Sequence, residues 1–274
     1  MNKIPLGISG FLLDQPGEKE VANRDTVISE VLESFFQWKP FSAEEEKSLL
    51  VQDASAISDS GTDKMAGICG YIMKRPEQAV TKTGGAIEGL AIETLRIMHR
   101  FPLVPIEEAI RLQDPCLRDL FFKRVYVIHR WQRLLKEGLS ARALIDFHAR
   151  HKLIIMSHGD YRDLGQLLAG LSKDNLTEIA DQYILQLMSM LLTMPTRANH
   201  VNVLQHIQGH LKKDISRDDK AELCELIDSY RNYEVPLIAP IILLKHHFRK
   251  SPDPYIQSSY YFSPYPSALG SVNP

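Results

Sequence analysis

The chain has 274 residues, of which 44% are hydrophobic and 24% are charged, close to the averages of globular domains. This composition excludes a disordered, collagen-like or repeat-dominated protein, and the length suits one large domain or two ordinary ones. The formal net charge of -2 excludes a global positive field, so binding to nucleic acid or to an anionic membrane would have to be local.

The three cysteines are far apart in the sequence and form no CxxC pattern. We therefore expect no disulfide framework, and the cysteine usage fits a reducing cytoplasm. The N-terminus, MNKIPLGISGFLLDQPGEKE, lacks the cleavage pattern of a signal peptide. No apolar run reaches the roughly 20 residues that cross a bilayer. The sequence thus predicts a cytoplasmic protein that does not contact membranes.

The first part of the chain alternates predicted strands and helices. Short apolar runs typical of buried strands lie at residues 4–13 and 65–73. Apolar residues at helical spacing lie at 26–38, 86–101 and 106–112. Asp114 can cap a further helix that runs through about residue 136. The alternation of strand and helix predicts an α/β domain over residues 1–128.

From residue 129 onward the strand pattern nearly vanishes. Helices are predicted at about 141–156, 161–171, 176–194, 199–213, 216–230 and 235–248. The last residues are rich in proline and aromatic residues, which predicts an extended strap. We therefore expect an all-α domain over residues 129–274. Residues 129–250 hold 17 basic and 14 acidic side chains, whereas residues 1–128 hold 15 and 19.

Nine of the ten histidines lie in this second part, and several share one stripe of the predicted helix in FHARHKLIIMSHGDYRDLG. Buried imidazoles need partners, so the stripe indicates either an anion or phosphate site or a set of interhelical hydrogen bonds. The ligand-binding candidates in this segment are His148, His151, Lys152, His158, Tyr161 and Arg162.

A second polar cluster occupies one face of the predicted helix in TRANHVNVLQHIQGHLKK. Amide side chains and an arginine fork suit a nucleotide or a base edge. The candidates are Arg197, Asn199, His200, Asn202, Gln205 and His206. A zinc site is the sharper alternative, but no HExxH motif and no carboxylate accompanies the histidine pairs, so we expect no metal.

The segment 235–250 ends in a basic cluster. With nearby lysines and the aromatic residues of the tail, this cluster could follow a phosphate backbone and stack bases, although solvated helix ends often look alike. The nucleic-acid-binding candidates are Lys212, Lys213, Lys245, His246, His247, Arg249 and Lys250. Motifs for dinucleotides, P-loops and α/β-hydrolases do not occur.

Long motifs of the second part, FHARHKLIIMSH, TRANHVNVLQHIQGHLKK and YRNYEVPLIAPIILLKHH, resemble the YbgA-like helical domain. The first part, with KIPLGISGFLLD, FQWKPFSAEE and ICGYIMKRPEQ, is similar to the thiouracil desulfurase-like domain that often precedes it. Active desulfurases of that family bind a [4Fe–4S] cluster through three cysteines. At the matching positions this chain has Phe11, Ser42 and Gln78. A phenyl ring or an amide cannot replace a thiolate at iron, and serine is a poor substitute, so we expect no cluster to assemble. The resemblance therefore implies no cofactor and no iron–sulfur desulfurase activity.

We expect a cluster-free desulfurase-like scaffold, a pseudoenzyme, fused to a helical domain that binds RNA, tRNA or another nucleotide-containing ligand through its His/Arg/Asn pocket. Relatives with this fusion and a complete cluster resemble desulfurases of thiolated uridine in RNA. Two alternatives stay open. The helical domain could be an enzyme with His148, His151 or His200 as acid or base and Arg197 holding an anionic group, or it could be a protein-interaction scaffold.

Overall fold

The computed structural model describes residues 3–12, 31–50, 60–76, 80–82, 84–159, 161–211 and 214–270. The chain forms two compact units, the first comprising Met1–Gly138 and Tyr265–Pro274 and the second Leu139–Pro264. The boundary predicted after residue 128 falls within a helix that continues to Glu137. The first unit therefore extends ten residues further, and it also recruits the end of the chain.

The first unit is built on a four-stranded parallel sheet. Its strands are β1 Ile4–Ser9, β2 Phe36–Phe41, β3 Tyr71–Met73 and β4 Ile106–Glu108, in the order β2-β1-β3-β4. Its helices are α1 Ala43–Leu50, α2 Ser60–Ala66, α3 Ile92–Arg100 and α4 Pro115–Glu137. Aromatic and aliphatic side chains of the strands and helices form one core, which includes Phe41, Met65, Tyr71, Ile97 and Ile106. The predicted α/β class of this unit is confirmed.

Two glycines allow the close packing of this sheet. A Cβ atom at Gly7 would lie 2.7 Å from Ile68 Cδ1, and one at Gly70 would lie 2.7 Å from Val125 Cγ2. Real Cβ atoms do not approach so closely, because the interior is already packed at crystal-like density. Glycine at position 7 therefore lets the segment before β3 approach β1, and glycine at position 70 lets α4 approach that segment.

Several predicted elements of the first unit differ from the observed ones. Residues 31–35 are helical, but β2 begins at Phe36, inside the helix predicted to run to residue 38. The segment from residue 106 is strand β4 followed by a 3-10 turn, Ala109–Gln113, instead of a helix. In the predicted strand at residues 65–73, only Tyr71–Met73 is a strand. Pairing with neighbouring strands is a long-range contact that the spacing of apolar residues does not show. In these segments it decides the secondary structure against the local pattern.

All regular elements of the second unit in its described residues are helices, joined by short loops. It contains α5 Ala141–His158, α6 Arg162–Ala169, α7 Leu176–Met190, α8 Arg197–His210, α9 Arg217–Arg231, α10 Ile238–Lys250 and α11 Pro254–Ser258. The predicted all-α class is confirmed. The tail, predicted as an extended strap, contains α11 and a final short helix, α12 Ser267–Gly270, which belongs to the first unit.

Side-chain caps start four of the long helices, including α8, where Thr196 accepts from the Asn199 N–H. Asp114 accepts hydrogen bonds from the backbone N–H groups of Cys116 and Leu117 at the start of α4. Ser140 caps α5, and Ser216 forms a reciprocal capping box with Asp219 at the start of α9. Each cap satisfies backbone donors that have no partner inside the helix. None of the helices in the described ranges is long and apolar enough to cross a membrane.

Candidate functional site

Two histidines of the α5 stripe are buried and bonded to backbone carbonyls. His151 Nδ1 donates to the Phe147 carbonyl oxygen at 2.7 Å, and His158 Nδ1 donates to that of Thr193 at 2.6 Å. Because a carbonyl oxygen only accepts, both imidazoles carry a proton on Nδ1. The His151 ring also packs against Phe147 at 4.2 Å and Tyr260 at 4.7 Å. These two side chains hold the interior of the second unit together.

His148 and Lys152 of the same helix are half-buried. His148 Nδ1 lies 3.2 Å from the hydroxyl oxygen of Tyr183. Burial, with a contribution from the Lys152 ammonium, lowers the pKa of His148. The Lys152 ammonium lies 5.7 Å from the centre of the Tyr161 ring. Tyr161 and Arg162, at the start of α6, are exposed.

Arg197 has partners inside its own unit. Its guanidinium lies 4.2 Å from the ring centre of Tyr230 and 4.1 Å from that of Tyr233, and it donates to the Tyr230 carbonyl oxygen. Tyr233 adopts a left-handed backbone conformation with a φ of 66°, which is uncommon for a residue with a side chain. The sandwich joins α8 to the end of α9, so Arg197 has a packing role beside any role with a ligand.

The other candidates of α8 fall into a buried and an exposed group. His200 is buried, and its Nδ1 lies 2.8 Å from the Tyr261 hydroxyl oxygen. The backbone N–H of Asn199 donates to the Thr196 cap. The side chains of Asn202, Gln205 and His206 are exposed. The structure thus divides the predicted pocket, because its buried imidazoles already have partners while its amides face solvent.

His206 belongs to a small aromatic cluster that sequence reasoning did not identify as a unit. Its ring lies 5.5 Å from that of His210, which stacks on Tyr255 at 5.3 Å. His210 Nδ1 is 3.0 Å from Asp253 Oδ2. Burial lowers the pKa of His206, and the charges of His210 and Lys152 lower it further. Asp253 and Tyr255 come from the tail, so no local pattern in α8 points to them.

The basic cluster at the end of α10 is largely exposed. Lys245, His246, Arg249 and Lys250 face solvent, whereas His247 is buried and its Nε2 has no hydrogen-bond partner among the described residues. Lys212 and Lys213 lie outside the residues that the structure describes. The exposed cations therefore occupy one helix end, as the sequence predicts.

A cavity of about 240 Å³ adjoins this cluster, and we call it the basic cavity. It is lined by Lys245, Phe248, Arg249, Ile256, Gln257, Ser259, Phe262 and Ser263. The Lys245 ammonium lies 5.9 Å from the centre of the Phe262 ring. The cavity brings two cations, the half-buried Phe262 ring and several neutral polar groups together. The sequence shows the cations and the aromatic tail, but not that they meet.

Two of the three positions where the desulfurase resemblance expects cysteines are described by the structure, and neither holds a thiolate. Phe11 follows β1 and is 49% exposed. Ser42 follows β2 and forms a capping box with Glu45, in which its hydroxyl accepts from the Glu45 N–H and its own N–H donates to the carboxylate. Gln78 lies outside the described residues. A phenyl ring is not a ligand for iron, and a serine hydroxyl that already caps a helix is a poor substitute for a thiolate.

Other metal donors do not converge in the described ranges. No group of three or more His, Cys, Asp or Glu side chains there could hold a metal ion. Cys69 is buried, and burial raises the pKa of its thiol to about 12. Cys116 and Cys224 are exposed, and each belongs to a different unit. The thiols are therefore not arranged as a ligand set.

Comparison with known proteins shows which family the chain is related to, mainly through its helical unit. A family model described as "Protein of unknown function (DUF1722)" matches residues 152–266. The uncharacterized protein YbgA of Escherichia coli (strain K12) is 34% identical over 149 residues, which cover 53% of this chain and 88% of the relative. No solved structure matches the chain significantly. The identity of 34% over 88% of this relative shows that the chain belongs to the YbgA family, and most of the second unit lies within the DUF1722 match.

Proposed function

We propose that the second unit binds RNA, with tRNA as the expected class, at the basic cavity. The observation that carries the proposal is that Lys245 and Arg249 line the same cavity as the Phe262 ring. A guanidinium fork and an ammonium suit phosphate oxygens, and an aromatic face suits a base. None of the described residues that line the cavity is acidic. Exposed Lys250 extends the positive surface beyond it.

The basic cavity replaces the His/Arg/Asn pocket as the proposed contact surface. The Nδ1 atoms of His151, His158 and His200 already form hydrogen bonds with partners within the unit. Arg197 is held between two tyrosine rings. A group that is already bonded and packed gains little by contacting a ligand, because it must first leave its partners. The exposed cations of α10 do not have to give up a described hydrogen bond or ion pair before they contact a ligand.

The test is the salt dependence of tRNA binding. Fluorescence anisotropy with labelled bulk tRNA would be followed across a range of salt concentrations for the wild type and for the double variant Lys245→Gln/Arg249→Gln. Each phosphate contact contributes a slope of about 0.9 in log affinity against log salt. We therefore expect the slope of the double variant to be smaller by about 2.

The matched control removes two exposed cations of the same unit elsewhere. Arg142 is 94% exposed near the start of α5, and Lys173 is exposed before α7. Arg142→Gln/Lys173→Gln changes the net charge equally and should leave the slope within about 0.5 of the wild type. The proposal fails if tRNA does not bind at low salt, or if both double variants lose the same slope.

For the first unit, we propose a cluster-free relative of the thiouracil desulfurase-like domain that is retained as a scaffold. Phe11 and Ser42 follow adjacent parallel strands, and the carboxyl ends of such strands are where α/β sheets hold ligands. At this end of the sheet the chain has a phenyl ring and a serine hydroxyl in the places of thiolates. Iron and acid-labile sulfide would be measured on anaerobically purified protein, with its visible spectrum. We expect no stoichiometric iron, and a brown protein with bound iron and sulfide would overturn the assignment.

A further inference from the structure

A cavity of the first unit lies where the strands of the sheet begin, at the amino ends of β1 and β2, and we call it the amino-edge cavity. Its volume is about 630 Å³, within the range of small-molecule sites. It is lined by Lys3, Ile4, Pro5, Ser34, Phe35, Gly67, Tyr126, His129, Gln132, Arg133, Lys136 and Pro266. Ile4 and Pro5 open β1, and one face of α4 forms the facing wall.

The charges on this cavity have one sign. Lys3, Arg133 and Lys136 line it together with His129, and none of its described lining residues is acidic. Arg133 forms an ion pair with Glu137 at 2.9 Å, but both side chains are more than 60% exposed, so solvent screens that pair. Burial lowers the pKa of His129, and Arg130, Arg133 and Lys136 lower it further. The cavity therefore concentrates positive potential without a fixed counter-charge of its own.

The other polar groups of the cavity are held in place. Gln132 Nε2 donates to the Ile68 carbonyl oxygen at 3.2 Å, and its Oε1 lies 3.3 Å from the sulfur of Cys69. Burial raises the pKa of Tyr126 to about 12, so its phenol keeps its proton as a hydrogen-bond donor. Arg130 lies over the Tyr126 ring at 5.7 Å. A small number of placed polar and charged groups beside apolar surface is typical of sites that orient a small ligand.

The remaining wall is apolar. Ile4, Pro5, Phe35 and Pro266 contribute carbon surface beside the cations. A bare inorganic anion would leave this surface wet, whereas a ligand with a carbon body would cover it and gain the hydrophobic contribution. The cavity is also larger than one phosphate ion requires. Charge and surface together favour an organic anion.

We propose that the amino-edge cavity binds a phosphorylated small molecule of up to nucleotide size. Lys3, Arg133 and Lys136 hold the phosphate, because ammonium and guanidinium groups form charge-assisted hydrogen bonds with its oxygens. Phe35, Pro5 and Pro266 contact the organic part. The site is separate from the basic cavity of the second unit and does not depend on RNA binding there.

The test uses isothermal titration calorimetry on the full-length protein with AMP, UMP, ribose 5-phosphate and inorganic phosphate as probes, and adenosine as the uncharged control. We expect at least one of the organic phosphates to bind with a Kd below about 1 mM, more tightly than inorganic phosphate and adenosine. Lys136→Gln and Lys3→Gln should each weaken that binding about tenfold or more. Lys82→Gln, an exposed lysine of the same unit outside the cavity, should leave it unchanged.

A steric variant separates occupancy from charge. A Cβ atom at Gly67 would meet only the Lys64 carbonyl oxygen, at an ordinary 3.6 Å, so Gly67→Leu adds volume at the wall without removing a cation. Weaker binding in this variant supports the site. The proposal is overturned if no organic phosphate binds, if adenosine or inorganic phosphate binds as tightly, or if Lys136→Gln, Lys3→Gln and Gly67→Leu all bind like the wild type.

Discussion

Among the carboxylates of the first unit whose contacts the structure describes, Glu108 is the one whose replacement should destabilise the unit most. Glu108 ends β4 and is completely buried. Its Oε1 accepts from the Ala91 N–H at 2.7 Å and from the Thr94 hydroxyl at 2.8 Å, and its Oε2 accepts from Arg75 Nε at 2.5 Å. One carboxylate thus joins the start of α3 and the segment after β3 to the edge of the sheet.

The expected magnitude follows from the groups that lose this acceptor. In Glu108→Ala, the buried donors of Ala91 and Thr94 would each cost about 1–3 kcal/mol. The Arg75 side chain is 39% exposed and can regain water, so it adds less. We expect a loss of about 3–5 kcal/mol, a large part of the stability of a typical domain. Glu108→Gln keeps an acceptor of the same shape and should lose about 1–3 kcal/mol.

The assay is urea unfolding followed by tryptophan fluorescence. The two tryptophans, Trp38 and Trp131, both belong to the first unit, so this signal reports on that unit. The control is Glu44→Ala, an exposed carboxylate in the first turn of α1, which should cost less than about 1 kcal/mol. If Glu108→Ala unfolds at the same urea concentration as Glu44→Ala, the carboxylate network does not stabilise the unit as argued.

Three further predictions concern the second unit, measured by urea unfolding at the helical circular dichroism signal. Arg197→Ala should cost about 2 kcal/mol, because it removes both ring contacts and the bond to the Tyr230 carbonyl; Arg197→Lys that is fully stable would contradict the stacked role of the planar group. The folded state lowers the pKa of His148 below 6.5 by burial and by Lys152. The contribution of the neutral His148 side chain to the free energy of unfolding is therefore complete above pH 6.5 and is lost as the pH falls through the pKa of the folded state. His148→Gln should flatten this pH dependence, and an unchanged pH profile would refute the assignment. Ser216→Ala should cost about 1 kcal/mol by removing the cap of α9, whereas Ser216→Asp should keep most of it; equal losses in both variants would exclude capping as the cause.

Helix starts could be predicted from the sequence because capping is local. Asp114, Ser140 and Ser216 each accept from backbone donors two or three residues further along the chain, so the signal and its structure lie in one short window. Strand β4 could not be predicted from the sequence, because two of its three residues, Ile-Glu-Glu, are acidic and do not show the apolar pattern of a buried strand. Glu107 and Glu108 are buried only because basic and hydroxyl groups from other segments meet them.

The candidate site could be predicted in its residue types but not in its grouping. The stripe on α5 is visible as a pattern, whereas the Tyr260 ring against His151 and the Tyr261 hydroxyl at His200 come from the tail. Tertiary contacts of this kind decide whether an imidazole is free for a ligand. The cations of the basic cavity were identified because they are adjacent in sequence, but the Phe262 wall depends on the path of the chain after α11.

The discontinuous first unit fixes an order of events during synthesis. Its sheet is translated first, yet Tyr265 donates to Asp119 and packs against Phe122 and Tyr126 of α4. These contacts can form only after the entire second unit has left the ribosome. During that interval the aromatic face of α4 lacks its final partner, and Pro266 has yet to join the wall of the amino-edge cavity. A ribosome that stalls before it reaches Tyr265 would therefore leave both the helix face and the cavity unfinished.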